Sequence, residues 1–108
     1  MRELGPNQQA WVVALESGRF RQCRYKLAHG DGGYCCLGVA GAINGLEVGT
    51  DDPSMYRKIR DLLGLRSDDG AILGGTSFSA VNDCLGYGFN TIASFIRENP
   101  ELCFVESK

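Results

Sequence analysis

At 108 residues the chain has the length of one domain, 1–108, and can bury a core without staples. Its 44% hydrophobic and 22% charged residues are ordinary for a globular protein, and a net charge of −2 excludes general coating of duplex DNA or RNA, which needs many phosphate contacts. No stretch approaches the roughly 20 apolar residues that span a bilayer, so no membrane helix is expected.

In chain order, the first helix is predicted to begin at Pro6 or Asn7, to place Trp11, Ala14 and Leu15 on one face, and to stop at Gly18. Residues 20 to 28 read as a strand, His29 to Gly33 as a turn, and Tyr34-Cys35-Cys36 as the returning strand of a hairpin. A second helix follows from Leu37 to Ile43, closed by Asn44-Gly45. Asp51-Asp52-Pro53 opens a third, with Met55, Ile59, Leu62 and Leu63 as its stripe and Gly64 as its stop. Residues 66 to 76 read as loop, with a short strand at Ala71-Ile72-Leu73. Ser77 or Ser79 caps a short helix carrying Val81 to Leu85, which Gly86-Tyr87-Gly88 breaks. Asn90 starts the last helix, with Ile92, Phe95 and Ile96 facing inward; Asn99-Pro100 ends it, and Leu102 to Val105 is a terminal strand. The sum is an α+β domain, several short helices packed on a small antiparallel sheet.

The most uneven feature is charge. Four of eleven basic residues fall between Arg19 and Lys26, a stretch with Phe20 and Tyr25 and no acid. A local positive segment in a slightly acidic chain predicts an anion site rather than a nucleic-acid coat. The five cysteines are odd in number, and Met1 to Pro6 shows no apolar signal core, so free thiols in a reducing cytoplasm are expected.

Trp11, Ala14-Leu15, Ser17-Gly18, Phe20, Gln22 and Leu27, followed by Cys35-Cys36-Leu37-Gly38-Val39, resemble a group of small phage proteins that share a W..AL.SG stretch and a CCLGV block. Asn82-Asp83, Phe89, Ile92-Ala93 and Ile96 are similar to the same group's later segment; Cys84 to Gly88 departs from it like an insertion. The resemblance implies a phage product acting in the cytoplasm of a host bacterium. It further implies an immune-evasion sponge of the anti-CBASS type, a homo-oligomer that sequesters a cyclic-nucleotide signal without cleaving it and without a cofactor.

A cyclic dinucleotide presents two phosphates and two flat bases, which calls for Arg or Lys at the oxygens and aromatic or guanidinium faces for stacking. Strand alternation sets Arg19, Arg21, Cys23 and Tyr25 on one face and Phe20, Gln22, Arg24 and Lys26 on the other. Arg24 and Lys26, sharing a face with Gln22, are the expected phosphate ligands, with Tyr25 beside them. The competing reading is a charged edge strand protected from aggregation. Asn82 and Asp83 could read a base edge, and Tyr87 could stack, although Asn and Asp also favour caps and turns for local reasons.

Two other classes compete. A cysteine enzyme would use Cys36 at a helix N-terminus with His29 as base, and a metal-assisted phosphodiesterase would draw on Asp31, Asp51, Asp52, Asp68 and Asp69. Cys23, Cys35 or Cys36 with His29 offers poor zinc spacing, so no metal is expected. An inhibitor acting by contact with a host protein would dock through Trp11, Tyr56 or residues 66–77.

Overall fold

The structure is a computed structural model and describes residues 3–24, 27, 28, 30, 32–50 and 52–105. It is α+β: helices α1 (Pro6–Glu16), α2 (Cys36–Ile43), α3 (Pro53–Leu63), α4 (Phe78–Asp83), α5 (Phe89–Glu98) and α6 (Pro100–Cys103), with strands β1 (Arg21–Gln22), β2 (Gly33–Tyr34), β3 (Ala71–Ile72) and β4 (Thr76–Ser77). The two sheets hold two strands each; β1–β2 is parallel and β3–β4 antiparallel.

The helix boundaries follow local chemistry. Pro6 stands in the first turn of α1, where its missing N–H costs nothing, and the Gln8 side chain accepts from the Gly5 N–H at 2.9 Å. Asp52 caps α3 by accepting from Ser54 N–H, and Gly64 ends it in the left-handed region at φ +75°. Ser77 caps α4 through Ala80 N–H at 3.1 Å. Phe89 rather than Asn90 begins α5, and Pro100, which ends that helix, also begins α6.

The core lies between α1, α2 and α5. Trp11 is fully buried, meets Phe78 and Phe104 edge-on at 5.1 and 6.3 Å, and donates its indole N–H to the Cys36 carbonyl at 2.8 Å. Helix α2 can lie this deep because its glycines leave no room to fill. A Cβ at Gly38 would stand 1.8 Å from the Leu27 carbonyl oxygen, and one at Gly41 2.2 Å from Val48 Cγ1. The small-residue face is therefore spent inside the chain. A two-pronged Arg97–Glu16 ion pair, 2.7 and 2.8 Å, ties α5 to α1 at the surface.

Two sequence expectations are corrected. Of the hairpin of residues 20–28 with 34–36, the described residues keep only the end at Leu27 and Ala28, where Cys35 N–H donates to the Leu27 carbonyl. Instead Arg21 and Gln22 pair in parallel with Gly33 and Tyr34, and the chain returns so that Ala28 bridges Tyr34 from an antiparallel direction. β1 ends because the Cys23 carbonyl is taken by a side chain, Asn82, rather than by the ladder. The predicted terminal strand is half helix: Pro100 nucleates α6 through Cys103, and the rest pairs through Phe104 with Leu65 and through the Val105 N–H with the Gly64 carbonyl.

Candidate functional site

The site builds outward from α4. Capped by Ser77 and anchored by the buried Phe78, this helix turns Val81 and Asn82 inward. Asn82 has no exposed surface. Its Oδ1 accepts from Gln22 Nε2 at 2.8 Å and from the Cys36 backbone N–H at 3.1 Å, while its Nδ2 donates to the Cys23 carbonyl and to Asp83 Oδ1, each at 2.8 Å. A carboxamide offers two donors and two acceptor positions, and all four are filled.

This geometry has a simple origin. Cys23 N–H bonds to the Tyr34 carbonyl, so the next rung of a parallel ladder would run from Cys36 N–H to the Cys23 carbonyl. The strands part there because α2 begins at Cys36, and the Asn82 amide fills the gap as a detached peptide group would. It satisfies an N–H of the first turn of α2 and the carbonyl of Cys23, the residue after β1, together. The sequence suggested a cap at Asn82; the structure makes it a cap for a helix more than forty residues away.

Gln22 is drawn into the same junction. Its Nε2 also donates to the Tyr87 carbonyl at 2.7 Å, pinning the loop after α4 to β1. Arg24 is exposed and lies against Gly86. That glycine has φ +71°, and a Cβ on it would come 3.0 Å from Arg24 Nη2. The structure thus brings Gln22, Arg24, Asn82, Asp83 and Tyr87 to one corner. Of these, Asn82 is sealed, Asp83 is half-buried, and Arg24 and Tyr87 reach the surface. Tyr25 and Lys26 lie outside the described residues, as do His29, Asp31 and Asp51.

Beside this corner opens a cleft of about 220 Å³. Ile72 and Thr76 of the β3–β4 hairpin form one wall, Phe78 and Val81 of α4 the floor, and Ile92 and Phe95 of α5 the opposite wall; Leu85 and Tyr87 stand at the rim. Leu85 is 55% exposed and Tyr87 46%. Sequence reasoning named Tyr87 alone of these as a ligand contact, with Ile72 and Thr76 falling in the 66–77 segment offered for docking a host protein. Periodicity assigns Ile92 and Phe95 to a core-facing stripe without showing that the stripe outruns the core. The available signal was Leu85, a large apolar residue set in a glycine-broken turn.

The thiols of Cys35 and Cys36 are buried in the fold. Cys35 caps α2, its Sγ accepting from Gly38 N–H at 3.3 Å, and burial pushes its thiol up to about 11. Cys36 is fully buried with Sγ 3.5 Å from the Phe78 carbonyl, and desolvation raises its thiol well above the ordinary value. A nucleophilic cysteine needs the opposite shift and access to substrate. Of the aspartates proposed for a metal, the three described are spoken for locally: Asp52 by its cap, Asp68 by Arg60 at 2.9 Å, and Asp69 by the Ser67 hydroxyl. Among the described residues no group of three or more His, Cys, Asp or Glu is arranged to hold a metal ion. Among them too, no helix is long and apolar enough to cross a membrane.

Residues 7–52 match the model of a domain of unknown function (DUF8296). The matched segment contains α1 from its second residue on, the basic stretch, both strands of the parallel sheet and α2; the cleft lies beyond it. No curated protein and no solved structure matches the chain.

Proposed function

We propose that the chain is a phage binding protein that sequesters a nucleotide-derived signal, a cyclic oligonucleotide of the dinucleotide class, in the host cytoplasm without cleaving it. The observation that carries this reading is the corner at Gly86. A guanidinium packs against the backbone of a turn whose two flanking residues, Leu85 and Tyr87, wall an aromatic-lined cleft. A cation for a phosphate and a flat apolar slot for a base are the two elements such a ligand requires. The neighbouring Arg19 and Arg21, both exposed, add to the local positive potential. The resemblance to small phage proteins supports the biological setting and the homo-oligomeric state.

The test is retention. Purified protein is incubated with a panel of cyclic nucleotides, freed of excess ligand and heat-denatured, and the released molecule is identified by mass spectrometry. Unchanged ligand in fixed proportion to protein is the expected result, and Arg24→Glu should lower retention per folded molecule at least tenfold. Linear product would replace sequestration with hydrolysis. No retention at concentrations well above micromolar would defeat the proposal and leave contact with a host protein, for which exposed Leu85 and Tyr87 would be the surface.

A further inference from the structure

We infer that the cleft between the β3–β4 hairpin, α4 and α5 seats a single planar heteroaromatic ring, one nucleobase per chain, with the ring's anionic substituent directed toward Arg24. The inference deepens the binding reading above and rests on it for the anionic group, but the ring assignment stands on the cleft alone.

Size decides first. Pockets that enclose drug-sized ligands begin at about 300 Å³. A cleft of about 220 Å³ falls short of that, so it takes one ring system and not two bases with their sugars. Lining decides next. Phe95 and Tyr87 line the space above the fully buried Phe78, and flat π-faces gain from offset or edge contact in a way that alkyl chains do not. The Thr76 hydroxyl and the Tyr87 phenol are the side-chain polar groups of the lining, enough to meet a ring with nitrogen or oxygen at its edge but not a sugar. Charge decides last. Gly86 lies between the two rim residues, and Arg24 approaches it closely enough that a methyl group there would touch Nη2 at 3.0 Å. The cation and the slot are thus borne on one three-residue turn, itself fixed by the bond from Gln22 to the Tyr87 carbonyl.

The experiment is a methyl-NMR titration of the protein labelled at Ile, Leu and Val, using adenosine, guanosine, their 5′-monophosphates, inorganic phosphate and octanoate as probes. Saturable shifts of Val81, Leu85 and Ile92 methyls with the uncharged nucleosides are expected, with tighter binding of the monophosphates and loss of that increment in Arg24→Gln. Leu85→Glu, at a position exposed enough to leave the fold intact, should weaken the nucleosides about tenfold. Shifts with octanoate and not with nucleosides would overturn the ring assignment. So would the absence of nucleoside shifts in a protein that still retains a cyclic nucleotide, and sequestration would then survive with its base bound elsewhere. Nucleoside shifts without retention of any cyclic nucleotide would uphold the ring site and end the sequestration reading.

Discussion

Asn82 and Tyr87 stand five residues apart and are both joined to Gln22, yet they live in opposite environments. The Asn82 carboxamide is sealed and its four hydrogen-bonding positions are consumed by the protein. The Tyr87 ring is half in water on the rim of an apolar cleft, and its backbone serves the fold, the N–H donating to the Val81 carbonyl and the carbonyl accepting from Gln22. Residue type suggested ligand contact for each. Burial separates them: a polar group sealed with all its partners specifies the structure, whereas an aromatic left at a rim is available to something else.

Removing the amide should have the largest effect. Asn82→Ala strands the buried Cys36 N–H and removes the amide from the half-buried Cys23 carbonyl, a lost buried partner costing about 1–3 kcal/mol. Urea denaturation should show a loss of about 3 kcal/mol, with ligand affinity per folded molecule kept. A loss below about 1 kcal/mol would break the contrast by showing that water replaces the amide.

The same corner should be sensitive to alkali. Cys35 and Cys36 have thiols raised by burial, Cys35 from 9.0 to about 11. A raised folded-state pKa favours folding fully at pH below the unfolded value and progressively less as pH climbs through that value toward the folded one. Stability should therefore fall by more than about 1 kcal/mol between neutral pH and pH of about 10. A flat profile over that window would mean that the thiols ionise as freely folded as unfolded.

Between the two environments sits Gly86. Gly86→Ala forces a side chain into the left-handed region at φ +71° and against Arg24, so a cost of about 1–2 kcal/mol is expected together with weaker retention of phosphorylated ligands. The smallest change in stability belongs to Tyr87→Ala, within about 0.5 kcal/mol, because its ring is half exposed and its carbonyl bond to Gln22 persists. Retention should nevertheless drop about tenfold. A large stability loss without a change in retention would reverse the roles of Tyr87 and Asn82.

Most of the helices were legible because their signals are local. Pro6, Asp52-Pro53, Gly64 and Ser77 act within a few residues of where they stand, and the structure uses each at a helix end. The strands were legible only in part: the short strand expected at Ala71-Ile72 forms as β3, but the pairing of β1 was not foreseen. β1 and β2 are two residues long, and nothing within residues 20–28 records that β2 pairs with it in parallel. The strand alternation used to sort Arg24 and Lys26 from Arg21 had no strand of sufficient length to act on. At Leu102 to Val105 an apolar run was too short for periodicity to separate strand from helix, and Pro100 tipped it to α6.

By itself the sequence determined the α+β class, the caps and stops, the apolar stripes and the clustering of positive charge after α1, since each depends on residues near one another in the chain. Only the tertiary structure decided that Asn82 would bridge Cys23 and Cys36, that Gly38 would admit the Leu27 carbonyl, and that Arg24 would rest on Gly86 beside a cleft. Those pairings join groups eleven to sixty-two residues apart. Their energies depend on which polar groups lose water together and on how much space a missing Cβ leaves, and neither quantity exists until the chain has closed on itself.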